Sequence, residues 1–375
     1  MSNSINKYSK VIADINLNNL DFNLENIRKQ VAPSEVIAVV KANAYGHGVV
    51  EISKRLEQNN IKTFAVARIK EALEIENAGI KGQIIIFGRM NTDDLEIAIQ
   101  KQFRITVMNL DDLKLINDIT IRLNIQAFVH LNIDTGMGRV GIFPNNIDEL
   151  INIIKISNNI NFEGLYSHFS TSDIVDKTYA KIQLDRFKSV LIKFEQADIK
   201  FQMVHMANSG AILDLPETHR NMFNAVRTGI ILYGCYPSEE TSESVEIKPV
   251  MTLKTIVAEV REMDANQPVS YGLRYYTKER EKIAVLPIGY ADGISRIFTN
   301  KGKVLINDNL YPMVGTVTMD QIMVTVDETV KEGDEVIFWG NFDKARTSDV
   351  AERVGTISYE LCSCITTRVL KNYIK

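Results

Sequence analysis

"VVKANAYGHG" (residues 39–48) sets a single lysine at the end of an apolar run and follows it with small residues, a tyrosine and two glycines. The run leading to it, "VIAVV" (36–40), shows no polar alternation, as expected of a parallel strand covered by helices. Such a strand delivers Lys41 to the rim of a sheet or barrel, and Ala42, Ala44, Gly46 and Gly48 leave room beside it for a bulky ligand. A desolvated lysine loses part of its preference for the charged state and becomes a nucleophile, as Schiff-base chemistry requires.

Outward from this stretch, further β-branched runs begin near Thr63, Gln83, Arg104, Gln126, Phe162, Phe201 and Ala225. Segments of helical period separate them, such as "RIKEALEIENAG" (68–79), with Gly79 as its stop, and "NLDDLKLIND" (109–118). Eight β/α units within about 210 residues suggest a TIM-like (β/α)8 barrel, with an open doubly wound sheet as the alternative. After Tyr236 the texture changes. "PSEETSESVEIKP" (237–249) is polar and bounded by prolines, as a linker would be, and the short alternating runs beyond it imply a mostly antiparallel β domain. The expected division is a barrel over 11–240 and a β domain over 241–375, with a short helix near 347–355.

Composition narrows the function. Hydrophobic residues at 45% suffice for a large core, and 43 basic against 47 acidic residues, well mixed, leave no stripe suited to nucleic acid or an anionic membrane. A small molecule is the expected partner. The opening "MSNSINKYSKVIADINLNNL" lacks the apolar stretch of a signal peptide, and no long apolar run appears, so a cytoplasmic location is expected. Three cysteines are too few for a disulfide framework, no His or Cys cluster has zinc spacing, and no metal is expected. Cys362 and Cys364 alternate within what reads as a strand, as packing residues would.

In a (β/α)8 barrel the functional side chains follow the strands. Lys41 follows the first, Asp134 and Arg139 the fifth, His168 the sixth, Asn208 and Ser209 the seventh, and Arg227 with Gly229 the eighth. These groups converge on one face by construction. "GMGRVG" (136–141) fits a dinucleotide fingerprint formally, but Pro144 argues against the helix such a motif needs, so the stretch reads as a loop carrying Arg139.

Nine stretches then point to one family: "AVVKANAYGHG" (38–48), "DTGMGRVG" (134–141), "YSHFSTSD" (166–173), "ANSGA" (207–211), "VRTGIILYG" (226–234), "VSYG" (269–272), "PIGYADG" (287–293), "TMDQIMV" (318–324) and "ISYE" (357–360). Over essentially its whole length the chain resembles the bacterial alanine racemases, enzymes that use pyridoxal 5'-phosphate (PLP). The resemblance implies a PLP-bearing barrel, a β domain joined by an N-terminal strand (about 1–13), and a head-to-tail homodimer with shared sites. It implies that Lys41 holds PLP as an internal aldimine, and that Lys41 and Tyr271 of the other subunit are the two acid/bases of L- and D-alanine interconversion. Arg139 and His168 would be the cations favouring the phenolate of Tyr271. Arg227 would face the pyridine nitrogen, where a guanidinium can donate but cannot leave the ring protonated. Tyr45, Ser209, Gly229, Ile230 and Tyr359 would hold the phosphate, with Asn208 and His168 beside the cofactor, and Arg139 and the partner's Met319 would hold the substrate carboxylate. Tyr359 and the partner's Tyr290 would narrow the entrance. Asp173, Arg296 and Asp320 match residues of the corridor and the dimer seam.

Two departures stand out. Many family members carry a carbamylated lysine where this chain has Asn132, so an anion or water is expected between Asn132 and Arg139, with activity independent of bicarbonate. The ending "TTRVLKNYIK" also differs from the family's. Other readings of the same residues are a racemase of serine or another small amino acid, a PLP-dependent decarboxylase, and a noncatalytic PLP-binding protein. The last is barrel-only in its known forms, which the region carrying Tyr271 disfavours. The expected role of the leading reading is supply of D-alanine for peptidoglycan.

Overall fold

The computed structural model describes residues 11–375. The first strand, β1 (Ile12–Asn16), precedes eight parallel strands that close into a barrel in sequence order: β2 (Glu35–Val39), β3 (Thr63–Val66), β4 (Gln83–Ile86), β5 (Arg104–Val107), β6 (Ala127–Asn132), β7 (Ile160–Tyr166), β8 (Met203–His205) and β9 (Ala225–Thr228). β9 pairs with β2 to complete the circle, so the barrel reading holds and the open sheet is excluded. The eight expected starts fall within two residues of the observed ones because buried β-branched runs have few alternatives. The helices Ile69–Asn77 and Leu110–Leu123 cover the outside, the first stopping before Gly79 at φ 85°.

The remaining strands are β10 (Met251–Ile256), β11 (Glu259–Met263), β12 (Glu281–Leu286), β13 (Lys303–Ile306), β14 (Asn309–Val314), β15 (Ile322–Val326), β16 (Glu335–Trp339) and β17 (Leu370–Ile374). With β1 they form one nine-stranded sheet, ordered β11-β12-β15-β14-β13-β16-β10-β1-β17. β1 thus leaves the barrel's sequence neighbourhood, pairing antiparallel with β10 and parallel with β17. The joining strand lies at Ile12–Asn16, later than the 1–13 expected, and residues 1–10 of that expectation lie outside the described residues. Between Tyr233 and Met251 there is neither helix nor strand. This connector is pinned by the buried Asn23, whose Nδ2 donates to Leu232 O and Lys248 O and whose Oδ1 accepts from Lys248 N. Cys362 and Cys364 do not alternate in a strand: a short helix, Ser358–Ser363, buries Cys362 and leaves Cys364 exposed. The β-like alternation of residue types is overridden by the docking of that helix against residues 41–45. A helix at Thr347–Val354 matches the expected one, and no helix among the described residues is long and apolar enough to cross a membrane.

His47 sits where the barrel rim meets the β domain, fully buried against Tyr233, with Nδ1 donating to Ala44 O and Tyr45 O. Burial pushes its pKa down to about 4 from the usual 6.5. Above 6.5 neither folded nor unfolded chain binds this proton, whereas below it only the unfolded chain does, so stability is lost as pH falls toward 4. Urea unfolding of the wild type and His47→Gln at pH 7 and pH 4 should show the stability gap between them shrinking by about 3 kcal/mol on acidification, and parallel curves would contradict this.

Candidate active site

The C-terminal ends of the barrel strands enclose a cavity of about 420 Å³ lined by Lys41, Tyr45, Asn132, Arg139, His168, Asn208, Ser209, Arg227, Gly229 and Tyr359, among others. Lys41 is presented by an uncommon backbone. After β2, residues Ala42, Asn43, Ala44 and Tyr45 all adopt left-handed dihedrals, φ 53°, 55°, 53° and 51°. This single left-handed turn needs fixed partners, because each L-residue in it is disfavoured. Glu71 supplies them: its Oε1 accepts from Ala42 N at 2.6 Å, and its Oε2 accepts from Ala67 N and Arg68 N. Asn43 Oδ1 accepts from Val49 N, and the turn closes on Gly46, where a Cβ would lie 1.9 Å from Cys362 O. The small residues of "KANAYGHG" therefore serve the close approach of the C-terminal segment as well as ligand space.

Burial lowers the pKa of Lys41, reinforced by the positive charge of Arg139, while Glu71 opposes the shift. The amine is thereby biased toward its neutral, nucleophilic form. Arg227 lines the same cavity, buried, with all its hydrogen bonds made through two nitrogens. Nη1 donates to His205 Nδ1 at 2.7 Å and to His205 O, and Nη2 donates to Ser167 O at 2.7 Å, Met206 O and His168 Nδ1 at 3.1 Å. These bonds leave Nε as the donor for a ligand. Because Arg227 only donates, His168 Nδ1 must offer its lone pair, and burial beside Arg227 and Arg139 holds the pKa of this histidine well below its usual value. His168 is neutral.

Arg139 rides on the loop 134–141. Asp134 is not a cavity group but the loop's anchor, its Oδ1 accepting from Gly136 N and Gly138 N. Gly136, Gly138 and Gly141 take φ 136°, 68° and 128°, so these glycines serve a loop, and the helix that a dinucleotide fingerprint requires does not follow them directly. On the opposite wall Gly229 N donates to Ser209 Oγ at 3.1 Å, and a Cβ on Gly229 would come within 2.8 Å of Tyr45 Oη, so the missing side chain opens a cradle among Tyr45, Ser209 and Tyr359. Asn208 caps the following helix through Ala211 N and accepts from Ser172 Oγ, while Ile230 is fully buried and outside the lining.

Tyr271, Tyr290 and Met319 do not line this cavity. They lie on the β domain, 76%, 41% and 51% exposed. Thr316 Oγ1 donates to Tyr271 O, and Tyr290 N and Ala291 N donate to Thr318 O and Met319 O, so the three are held on a structured surface. Asp320 is paired with Arg368 at 2.8 Å, Asp173 accepts through its backbone oxygen from Ser238, and Arg296 opens a short turn on the β domain. Sequence reasoning missed Phe87, Gly88, Arg89, Met108, Val140 and Tyr166 as lining residues. Four of these follow β4 or end β7, so the strand-end rule applied to apolar and aromatic residues as well as polar ones would have found them.

Comparison with known proteins agrees with this geometry. Residues 15–237 match the family model "Alanine racemase, N-terminal domain" and residues 250–373 match "Alanine racemase, C-terminal domain". The chain is 44% identical over 372 residues to an alanine racemase of Clostridium perfringens strain SM101, covering 97% of this chain and 95% of that one. It superposes on the solved alanine racemase of Clostridium difficile 630 with a TM-score of 0.91 at 38% identity, over 97% of this chain and 96% of that one. It also superposes on the alanine racemase of Bartonella henselae with covalently bound pyridoxal phosphate, TM-score 0.88 at 29% identity, over 98% and 100% of the two chains. With both halves matched, and with the strand ends carrying the residues that the nine sequence stretches singled out, the chain belongs to the alanine racemase family.

Proposed function

We propose that this chain interconverts L- and D-alanine with PLP bound in the barrel cavity, by proton transfers from two sides. The observation that carries the reading is the charge set of the cavity: Lys41, Arg89, Arg139 and Arg227 line it, and no Asp or Glu does among the described residues. That set suits two anions, a phosphate and a substrate carboxylate. The residues present fit PLP: the Gly229 cradle among Tyr45, Ser209 and Tyr359, with the backbone at Ile230, would take the phosphate, Asn208 and His168 would stand beside the ring, and Arg227, whose Nε is left by its other bonds, would be the donor to the ring nitrogen. The bound cofactor supplies an electron sink for the charge left when the Cα proton departs. Arg227 limits that sink, since a guanidinium donates a hydrogen bond without surrendering its proton.

Lys41 would hold the cofactor through its amine, and the same amine, its pKa lowered by burial, suits removal or return of the substrate Cα proton on its side. Tyr271 of the partner subunit does the same on the opposite side. Its exposure at the β-domain surface, with Met319 and Tyr290 nearby, supports a head-to-tail homodimer in which each β domain completes the other copy's cavity. Arg139 orients the substrate carboxylate with Met319 and favours the phenolate. Tyr290 and Tyr359 limit the size of the substrate side chain, and Asp173, Arg296 and Asp320 lie along the approach. The cellular role is supply of D-alanine for peptidoglycan from the cytoplasm, and the domain division near residue 240 separates the cofactor-bearing barrel from the acid/base-bearing β domain.

The reading is tested by deuterium wash-in at Cα. Wild type given L-alanine in D2O should form D-alanine with exchange, while Tyr271→Phe should retain PLP absorbance and lose roughly 10²- to 10⁴-fold in interconversion. PLP binding without exchange on alanine or serine would overturn racemisation of small amino acids.

Asn132, buried at the end of β6, lines the cavity with Arg139 and brings no charge to it. A neutral amide forms no carbamate, so rates in bicarbonate-depleted buffer should equal those with bicarbonate restored. A large, restorable loss would refute this.

A further inference from the structure

One face of the helix Thr178–Gln196 reaches across to the loops that follow β6 and β7. Tyr179, Gln183 and Arg186 stand at i, i+4 and i+7, so they share a stripe along it. Gln183 is fully buried: its Oε1 accepts from Ser170 N and Ser170 Oγ, both at 2.9 Å, and its Nε2 donates to His168 O at 3.0 Å. The residues flanking it in the stripe grip the loop 134–141 instead. Tyr179 Oη donates to Gly136 O at 3.1 Å, and Arg186 Nη1 donates to Thr135 O at 2.9 Å. Gly136 is fitted to them. A Cβ there would lie 2.4 Å from Tyr179 Oη and 3.0 Å from Arg186 Nη1, and its φ of 136° disfavours any other residue.

That loop carries Arg139, whose guanidinium makes no hydrogen bond or ion pair among the described residues, so its place is set by the backbone beneath it. The neck of the loop is closed by Asp134 N donating to Ile142 O and Ile142 N donating to Asn132 O. Inward, Ser167 Oγ gives its proton to Ile133 O at 2.7 Å, so Thr135 Oγ1 is the donor in its 2.8 Å bond to Ser167 Oγ, and Ser167 O accepts from Arg227. These bonds fix the base of the loop. Outward, the carbonyls of Thr135 and Gly136 are held by Arg186 and Tyr179. Arg186 makes no ion pair among the described residues, and the Thr135 carbonyl is the partner its side chain has. A charged donor forms the stronger hydrogen bond, which ranks Arg186 above Tyr179.

We propose that Arg186, together with Tyr179, is a positioning residue for the reaction: from the helix Thr178–Gln196 it sets where Arg139 stands and so how tightly the substrate carboxylate is held. This rests on the carboxylate role given to Arg139 above. A carboxylate contact is made in the ground state and the transition state alike, so weakening it raises KM and spares kcat.

The test uses the PLP-loaded enzyme. Arg186→Met keeps the aliphatic stem and drops the donor. It should raise the KM for L-alanine and the inhibition constant of propionate together, about tenfold, with kcat within about threefold of wild type. Arg186→Lys, which restores a donor, should recover most of both, and Tyr179→Phe should shift them about threefold. Ethylamine, an amine without a carboxylate, should bind every variant as it binds wild type, read by PLP absorbance. Unchanged constants when Arg186→Met and Tyr179→Phe are combined, an equal loss for ethylamine, or no rescue by lysine would overturn the proposal and leave both residues as helix packing. Arg139→Met run alongside keeps the two failures apart. Wild-type constants there would overturn the carboxylate role of Arg139, whereas raised constants there and none in the double variant would overturn the proposal alone.

Discussion

The architecture depends on a left-handed turn. Residues 42–45 each occupy a backbone region that disfavours L-amino acids by about 1–2 kcal/mol, so the segment that carries Lys41 holds its shape only while its surroundings are intact. Those surroundings come from three distant parts of the chain: Glu71 after β3, Tyr233 after β9 beside the Tyr45 ring, and the carbonyl of Cys362 in the β-domain half. Lys41 is thus positioned only when barrel and β domain are both assembled. The strain and the chemistry meet at one place, with the cavity on one side of the turn and the docked helix Ser358–Ser363 on the other.

Much of this was legible in the sequence. The barrel strands are short, β-branched and buried on both faces, so their pattern has little freedom, and the residues following β2, β6, β7, β8 and β9 fall at the cavity for that reason. Lys41, Arg139, His168, Ser209 and Arg227 could be placed by this rule alone. What escaped depends on contacts between distant residues. Nothing in "VSYG" or "TMDQ" reveals that Tyr271 and Met319 face away from their own cavity, because that orientation is set by the packing of the β domain. The lowered pKa of His168 comes from its burial, with Arg227 beside it, and the helical state of Cys362 needs the docking surface at residues 41–45.

Charge is distributed by a consistent logic. Cations line the cavity, while the carboxylates near it are turned toward backbone amides: Glu71 to the turn and Asp134 to the glycine loop. The cavity therefore keeps a positive field, and its acidic neighbours work as construction elements. Neutral histidines around Arg227 are part of the same arrangement, since another cation there would oppose both Arg227 and Lys41.

The placement of β1 between β10 and β17 also has a consequence for biogenesis. Asp14 accepts a hydrogen bond from Asn372, a residue 358 positions later. At about 5–20 residues per second, a ribosome needs roughly 20 to 70 s to supply that partner. During that interval the barrel strands can find one another, but Ile12–Asn16 lacks both neighbours until Met251–Ile256 is made and still lacks one until Leu370–Ile374 follows. Ile12–Asn16 therefore keeps at least one open edge until Leu370–Ile374 is made, which makes this short segment the natural target for chaperone binding or for premature pairing between nascent copies.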